Sequence, residues 1–291
     1  MKNYFFILFA IVVISSCKKS NTDNNNNNNV TPPPAVVADT LMNVAYGSDP
    51  AQVMDIYRPA NRSADSTKVM IMIHGGAWSS GDKTDFNTYI TTLKQRLPNY
   101  TLVNMNYRLA NPIANAFPTQ ENDVLSALTY LYNHSSQLAI SNKYVLLGAS
   151  AGGQLSLLQA YKRVTPVAIK AVVDFFGPTD MVDLYNYQNN TAQTGMQLLM
   201  GGTPASNPSM YQQSSPKNYV SSTSCPTIIL QGGMDVVVPP HQSADLSAQL
   251  TLLGIANQYV YFANEVHGTW TNAHMDSSFN AITSFVLANV H

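Results

Sequence analysis

The sequence predicts an α/β domain built on a mostly parallel sheet with helices on both faces. Three observations carry this. Short runs that are apolar throughout recur along the chain, as strands covered on both faces require. Helical patterns alternate with them. One apolar run, residues 144–147, leads directly into the small-residue segment Gly148-Ala149-Ser150-Ala151-Gly152-Gly153.

Residues 52–57 alternate apolar and polar, the pattern of a half-buried strand at a sheet edge. Residues 69–73, 144–147, 171–176 and 227–230 read as apolar, buried strands, 101–106 as a further strand, and 258–262 as the last strand. Residues 119–132 place Val124, Leu125, Leu128 and Leu131 on one helical stripe. Helical patterns also cover 154–161, 243–253 and a final segment ending near Ala288. Strand and helix in repeated alternation mean parallel pairing with crossovers. Residues 177–224 are rich in Asn, Gln, Ser and Tyr and too long for a plain connection, so a small cap or loop insertion is expected there.

Residues 1–16 predict a signal peptide: Lys2 precedes a ten-residue apolar run that is too short to span a bilayer. The run closes on Ile14-Ser15-Ser16-Cys17, which resembles the bacterial lipoprotein cleavage box. That resemblance implies lipidation of Cys17, anchoring to a membrane, and an exported domain in the periplasm or at the cell surface. Residues 17–39 hold six consecutive asparagines and three prolines, the composition of a disordered tether. The folded domain is expected over 40–291. Cys225 is the one other cysteine and reads as a small buried residue with no disulfide partner.

Charged residues are 11% of the chain and the net charge is -1, which argues against a nucleic-acid partner. Gly148-Ala149-Ser150-Ala151-Gly152 lies between a strand and a helix, where a strained turn needs small neighbours to expose a serine. Ser150 is therefore the predicted nucleophile. A serine hydroxyl needs a base, normally a histidine oriented by a carboxylate, in the chain order Ser, Asp or Glu, His. Of six histidines, His267 in Val266-His267-Gly268 follows the last strand and suits the base; His241 reads as a surface residue and His274 as part of the final helix. Asp235 follows the 227–230 strand and suits the acid, with Asp174 and Asp180 as rivals one strand earlier. Gly75 and Gly76, in His74-Gly75-Gly76-Ala77-Trp78, would offer backbone N–H groups with Ala151 as an oxyanion hole. His74 reads as a structural hydrogen-bonding residue. Trp78 fits a pocket mouth and plain packing equally well, and Tyr185, Asn186, Tyr187 and Tyr211 fit sugar contact and ordinary surface equally.

These segments, with Asp55-Ile56-Tyr57-Arg58-Pro59, Asn106-Tyr107-Arg108-Leu109, Phe176-Gly177-Pro178-Thr179-Asp180, Ser215-Pro216-Lys217-Asn218-Tyr219-Val220 and Asp235-Val236-Val237-Val238-Pro239, resemble bacterial carboxylesterases of the α/β-hydrolase fold. Those enzymes are related to hormone-sensitive lipase, and the most similar branch holds feruloyl and acetyl-xylan esterases. The resemblance implies the triad Ser150, Asp235, His267. It also implies hydrolysis through an acyl-enzyme, acetyl or feruloyl esters of plant polysaccharide as substrates, and no metal or organic cofactor. Gln231 departs from it, because relatives often carry histidine there, and Ala77 replaces a third glycine. A serine peptidase of the same fold and a catalytically silent glycan-binding lipoprotein are the alternative functions.

Overall fold

The computed structural model describes residues 36–291 apart from Thr269. The predicted signal peptide, Cys17 and most of the tether lie outside the described residues. The tether's last residues, 36–39, are already held by the domain: Asn61 N–H donates to the Val36 carbonyl at 2.8 Å, and the Arg58 guanidinium pairs with Asp39 at 2.5 Å. The expected domain start at residue 40 therefore moves toward the N-terminus.

Eight strands form one sheet in the order β1-β2-β4-β3-β5-β6-β7-β8. They are β1 (Asp39–Ala45), β2 (Val53–Arg58), β3 (Lys68–Ile73), β4 (Tyr100–Met105), β5 (Tyr144–Ala149), β6 (Ile169–Phe175), β7 (Thr227–Gly232) and β8 (Asn257–Phe262). β2 runs antiparallel to both β1 and β4, and every other neighbour pair is parallel. Side-chain alternation divides the core. Val69, Ile71 and Ile73 of β3 pack on one face with Leu128 and Leu131 of α2 (Thr119–Asn133) and Leu155 and Leu158 of α4 (Ala151–Tyr161). Met70 and Met72 pack on the other with Ile90 and Leu93 of α1 (Asn87–Arg96) and Phe279 and Ile282 of α9 (Asn272–Asn289). Each such fully buried side chain contributes about 1.5–3 kcal/mol. Leu246 and Leu250 of α8 (Pro240–Leu252) cover Ile229 of β7. A short α3 (Ser135–Leu138) precedes β5.

Residues 52–57 are not an edge strand as expected. β1 is the edge and β2 lies inside it, and Asp55 is fully buried. The polar position that reads as solvent-facing is covered by Lys83, whose Nζ lies 2.6 Å from Asp55 Oδ2, while Asn43 N–H donates to Oδ1 at 2.7 Å. β1 escapes the sequence pattern because a bulge between Leu41 and Val44, with Asn43 at φ +53°, breaks its alternation. The expected insertion is helical: α5 (Met181–Tyr187), α6 (Asn190–Met200) and α7 (Pro208–Gln213). Asp180 caps α5 by accepting from Val182 and Asp183 N–H, and Asn189 caps α6 through Ala192 N–H. Cys225 is half-buried and unpaired among the described residues, and burial pushes its thiol up to about 12.

Candidate active site

Ser150 is the single residue between β5 and α4. Its backbone sits at φ +54° and ψ -119°, a strained conformation for a residue with a Cβ. The turn closes because its neighbours are small. A Cβ on Gly148 would stand 2.0 Å from the Gly152 carbonyl oxygen, and one on Gly152 the same distance from that of Ile73. Ala77, Trp78 and Phe176 share the positive φ at the rim of the same site, at +49°, +60° and +45°. Strain of this kind, about 1–3 kcal/mol per residue, persists where surrounding structure enforces it, and it clusters at functional sites.

The Ser150 hydroxyl lies 2.9 Å from His267 Nε2. His267 Nδ1 lies 2.8 Å from Asp235 Oδ2, so Nδ1 carries the proton and Nε2 is free to accept from the serine. Asp235 Oδ1 accepts from Val237 and Val238 N–H, both at 2.8 Å. Burial by itself would raise the Asp235 carboxyl. His267 and the two backbone donors outweigh it and hold the group below the usual carboxylate range. The His267 ring packs against Phe176 with centroids 4.6 Å apart, and Trp270 backs Phe176 at 5.5 Å. Behind this loop Glu265 accepts from Thr271 N–H (2.9 Å) and from His274 Nδ1 (2.5 Å), tying His267's loop to the start of α9.

Gly75 and Gly76 line a cleft of about 460 Å³ together with Ser150, His267, Asp85 and Tyr89. Ala151 opens α4, where first-turn N–H groups have no intrahelical acceptor. The Gly75–Gly76 loop is braced by the Tyr107 hydroxyl, which lies 3.1 Å from the His74 carbonyl oxygen and 3.0 Å from that of Gly75. His74 is buried, stacks on Tyr107 at 4.2 Å and places Nδ1 2.8 Å from the Gly75 carbonyl. It does not reach Ser150 by any hydrogen bond, and its ring serves the loop. On the other side of Ser150 lies an apolar cavity of about 360 Å³, lined by Trp78, Leu184, Gly195, Met196, Leu199 and Val238 among others. Trp78 thus both lines the cavity and packs, and its Nε1 donates to Gln154 Oε1 at 3.0 Å.

The rival acids lie elsewhere. Asp180 caps α5 and pairs with Lys217. Asp174 is fully buried beneath the Ser150 turn, accepting among the described residues only from Gly177 N–H at 3.0 Å, and burial raises its carboxyl from 3.8 to about 8. A carboxyl raised on folding favours the native state in acid, and that contribution is lost as pH climbs from about 4 toward 8. Asp174→Asn is therefore expected to melt higher than the unmodified protein at pH 8, with the gap closing toward pH 4; thermal melts across that range check it.

Sequence patterns did not single out two of the three glutamines that hold the site, Gln154 and Gln188, and marked Gln231 only as a departure from the family pattern. Gln154 Nε2 reaches the Ser214 carbonyl at 2.7 Å, joining α4 to the segment after α7. Gln188 Nε2 reaches the Val237 carbonyl at 2.6 Å, and beside it the Tyr187 hydroxyl lies 3.3 Å from the Asp235 carbonyl oxygen, so α5 is latched to the Asp235 loop. Gln231 Nε2 lies 3.0 Å from Asp235 Oδ2. Of the residues offered for sugar contact, Tyr211 is fully buried in the cap, and Tyr185 is bonded at its hydroxyl by Gln197. His241 is exposed and meets Asp183 at 2.9 Å. Among the described residues no cluster of three or more His, Cys, Asp or Glu is placed to hold a metal ion.

The sheet order, the serine on a strained strand-to-helix turn and the histidine–aspartate pair at the ends of β8 and β7 define a protein of the α/β-hydrolase fold. The chain belongs to the BD-FAE family, whose model matches residues 54–250. It is 24% identical over 220 residues to esterase LipC of Mycobacterium tuberculosis, covering 71% of this chain and 54% of that one. It is 27% identical over 222 residues to the probable carboxylic ester hydrolase LipM of the same organism, covering 72% and 51%. The chain thus spans about half the length of these curated relatives. A truncated form of a carbohydrate esterase from gut microbiota superposes with a TM-score of 0.72 at 23% identity, covering 87% of this chain and 99% of that one.

Proposed function

We propose that the protein is a serine carboxylesterase that works through an acyl-enzyme at Ser150. The observation that carries this is the continuous hydrogen-bonded line from Ser150 through His267 to Asp235. His267 takes the serine proton as the hydroxyl attacks the ester carbonyl, then gives it to the leaving alcohol. Water repeats the sequence to release the acid. Asp235 keeps the proton on Nδ1 and stabilises the imidazolium that forms. Gly75, Gly76 and Ala151 N–H groups stabilise the oxyanion, each donor contributing about 2.7–4 kcal/mol. No step needs a metal or an organic cofactor.

The two spaces beside Ser150 suit an ester of two unlike halves: an apolar acyl group under α6, and a hydroxylic alcohol in the cleft with Asp85 and Tyr89. Acetyl or feruloyl esters of polysaccharide match this, and the likeness to a carbohydrate esterase supports the reading. The sequence of residues 1–39 supports an exported domain anchored through a lipid on Cys17.

Turnover of p-nitrophenyl acetate, p-nitrophenyl octanoate, methyl ferulate and acetylated xylan by three proteins tests this. Ser150→Ala should be inactive on all four, and a rate equal to wild type would overturn the proposal. A Cβ on Gly195 meets nothing within 4 Å, so Gly195→Leu projects into the apolar cavity without disturbing α6. It should lower kcat/KM on octanoate and ferulate by about tenfold or more while sparing acetate.

A further inference from the structure

We propose that Gln231 is a positioning residue: its carboxamide, fixed from behind by Ser243, holds the Asp235 carboxylate in the orientation His267 needs. This rests on reading Ser150, His267 and Asp235 as the triad. Gln231, near the end of β7, and Ser243, in α8, are both fully buried. Ser243 Oγ donates to Gln231 Oε1 at 2.8 Å, and Gln231 Nε2 donates to Asp235 Oδ2 at 3.0 Å and to the Gly232 carbonyl at 3.1 Å. Chemistry fixes the sense of the amide. A carboxylate accepts only, so the NH2 must face Asp235, and the amide oxygen then receives the Ser243 hydroxyl. A flipped amide would set its oxygen against both the Asp235 carboxylate and the Gly232 carbonyl, which only accept.

Asp235 thereby has four donors, which is what a carboxylate's lone pairs accommodate. Val237 and Val238 N–H hold Oδ1; His267 and Gln231 share Oδ2. The two backbone donors lie on Asp235's own loop and leave Oδ2 to its other partners. Gln231 is the one of these donors that comes from the sheet, and it spreads the carboxylate charge without adding charge of its own. Without it, Oδ2 is held by the histidine alone, the group it is meant to orient.

The test is steady-state hydrolysis of p-nitrophenyl acetate from about pH 5 to about pH 9, where the histidine changes charge, with melting temperatures recorded alongside. Gln231→Leu removes the donor and should lower kcat by about tenfold or more with KM unchanged, the size seen when the hydrogen-bond partners behind metal-ligating histidines and carboxylates are lost. Gln231→His restores an N–H at similar reach and should recover most of that loss. Gln231→Glu donates while protonated and repels Asp235 once ionised, so its activity should fall as pH rises through the neutral range where wild type does not fall. A folded Gln231→Leu with wild-type kcat and pH profile overturns the proposal. So do equally slow Leu and His variants together with a wild-type-shaped profile for Gln231→Glu. If Gln231→Leu does not fold, the His and Glu variants decide alone. Wild type inactive on every ester would overturn the esterase reading itself, whereas an active wild type indifferent to these changes overturns only the role of Gln231.

Discussion

Asp235→Asn is expected to lower kcat by about 10⁴-fold with little change in KM, the loss seen when the same exchange is made in the serine-protease template. The side chain keeps its shape and its place above β7, and Val237 and Val238 N–H can still bond the amide oxygen. What changes is the atom facing His267: an NH2 there drives the proton from Nδ1 to Nε2, and Nε2 can no longer accept from Ser150 2.9 Å away. The same variant has a stability signature. A carboxyl held below 3.8 in the folded state contributes stability above that value and loses it as pH falls through its folded pKa. The Asn variant should therefore lose its stability deficit in strong acid. Stopped-flow or steady-state kinetics with p-nitrophenyl acetate, and melts from neutral pH down to about pH 2, check both.

Gly152→Ala is the second large effect, and it acts on the fold. The added methyl would stand 2.0 Å from the Ile73 carbonyl oxygen and 2.6 Å from that of His74. Both are backbone atoms of β3 and the loop after it, so α4 must lift away from the sheet, taking Ser150 with it. We expect a loss of about 3 kcal/mol or more, at the top of the range for overpacked cores. For a domain of this size that is a fall of roughly 10 °C in Tm. Gly195→Ala is the control. It adds a methyl to a helix interior where nothing lies within 4 Å, and it should stabilise by about 0.5–1 kcal/mol. Calorimetry on the pair separates steric crowding from loss of glycine as such.

The contrast between these glycines shows what the sequence could reveal. Apolar runs disclosed β3, β5, β6 and β7 because strands buried on both faces have no polar side to confuse the pattern. The small residues around Ser150 disclosed the elbow because backbone is packed against backbone there. β1 was hidden because its bulge breaks the period, and β2 was misplaced because Asp55 is neutralised by a lysine 28 residues away. α1 was missed because only Ile90 and Leu93 of its ten residues are buried. The partners of Asp235 were hidden for a related reason. Gln231 reads as one polar residue at the end of an apolar strand, and only the fold brings Ser243 and Asp235 to its two ends. Motif spacing reports residues that must be near each other in sequence. Side chains that brace them from other elements leave no such trace.

Ser150 is proposed to be the activated nucleophile, and covalent labelling tests that role most directly. An alkyl fluorophosphonate, which reacts with a serine only when a neighbouring base takes its proton, should add once to the wild-type protein, and peptide mapping should place the adduct on Ser150. Ser150→Ala should remain unlabelled, and His267→Ala nearly so, with both variants folded. Labelling of a different residue, or an equal rate for His267→Ala and wild type, would contradict the account.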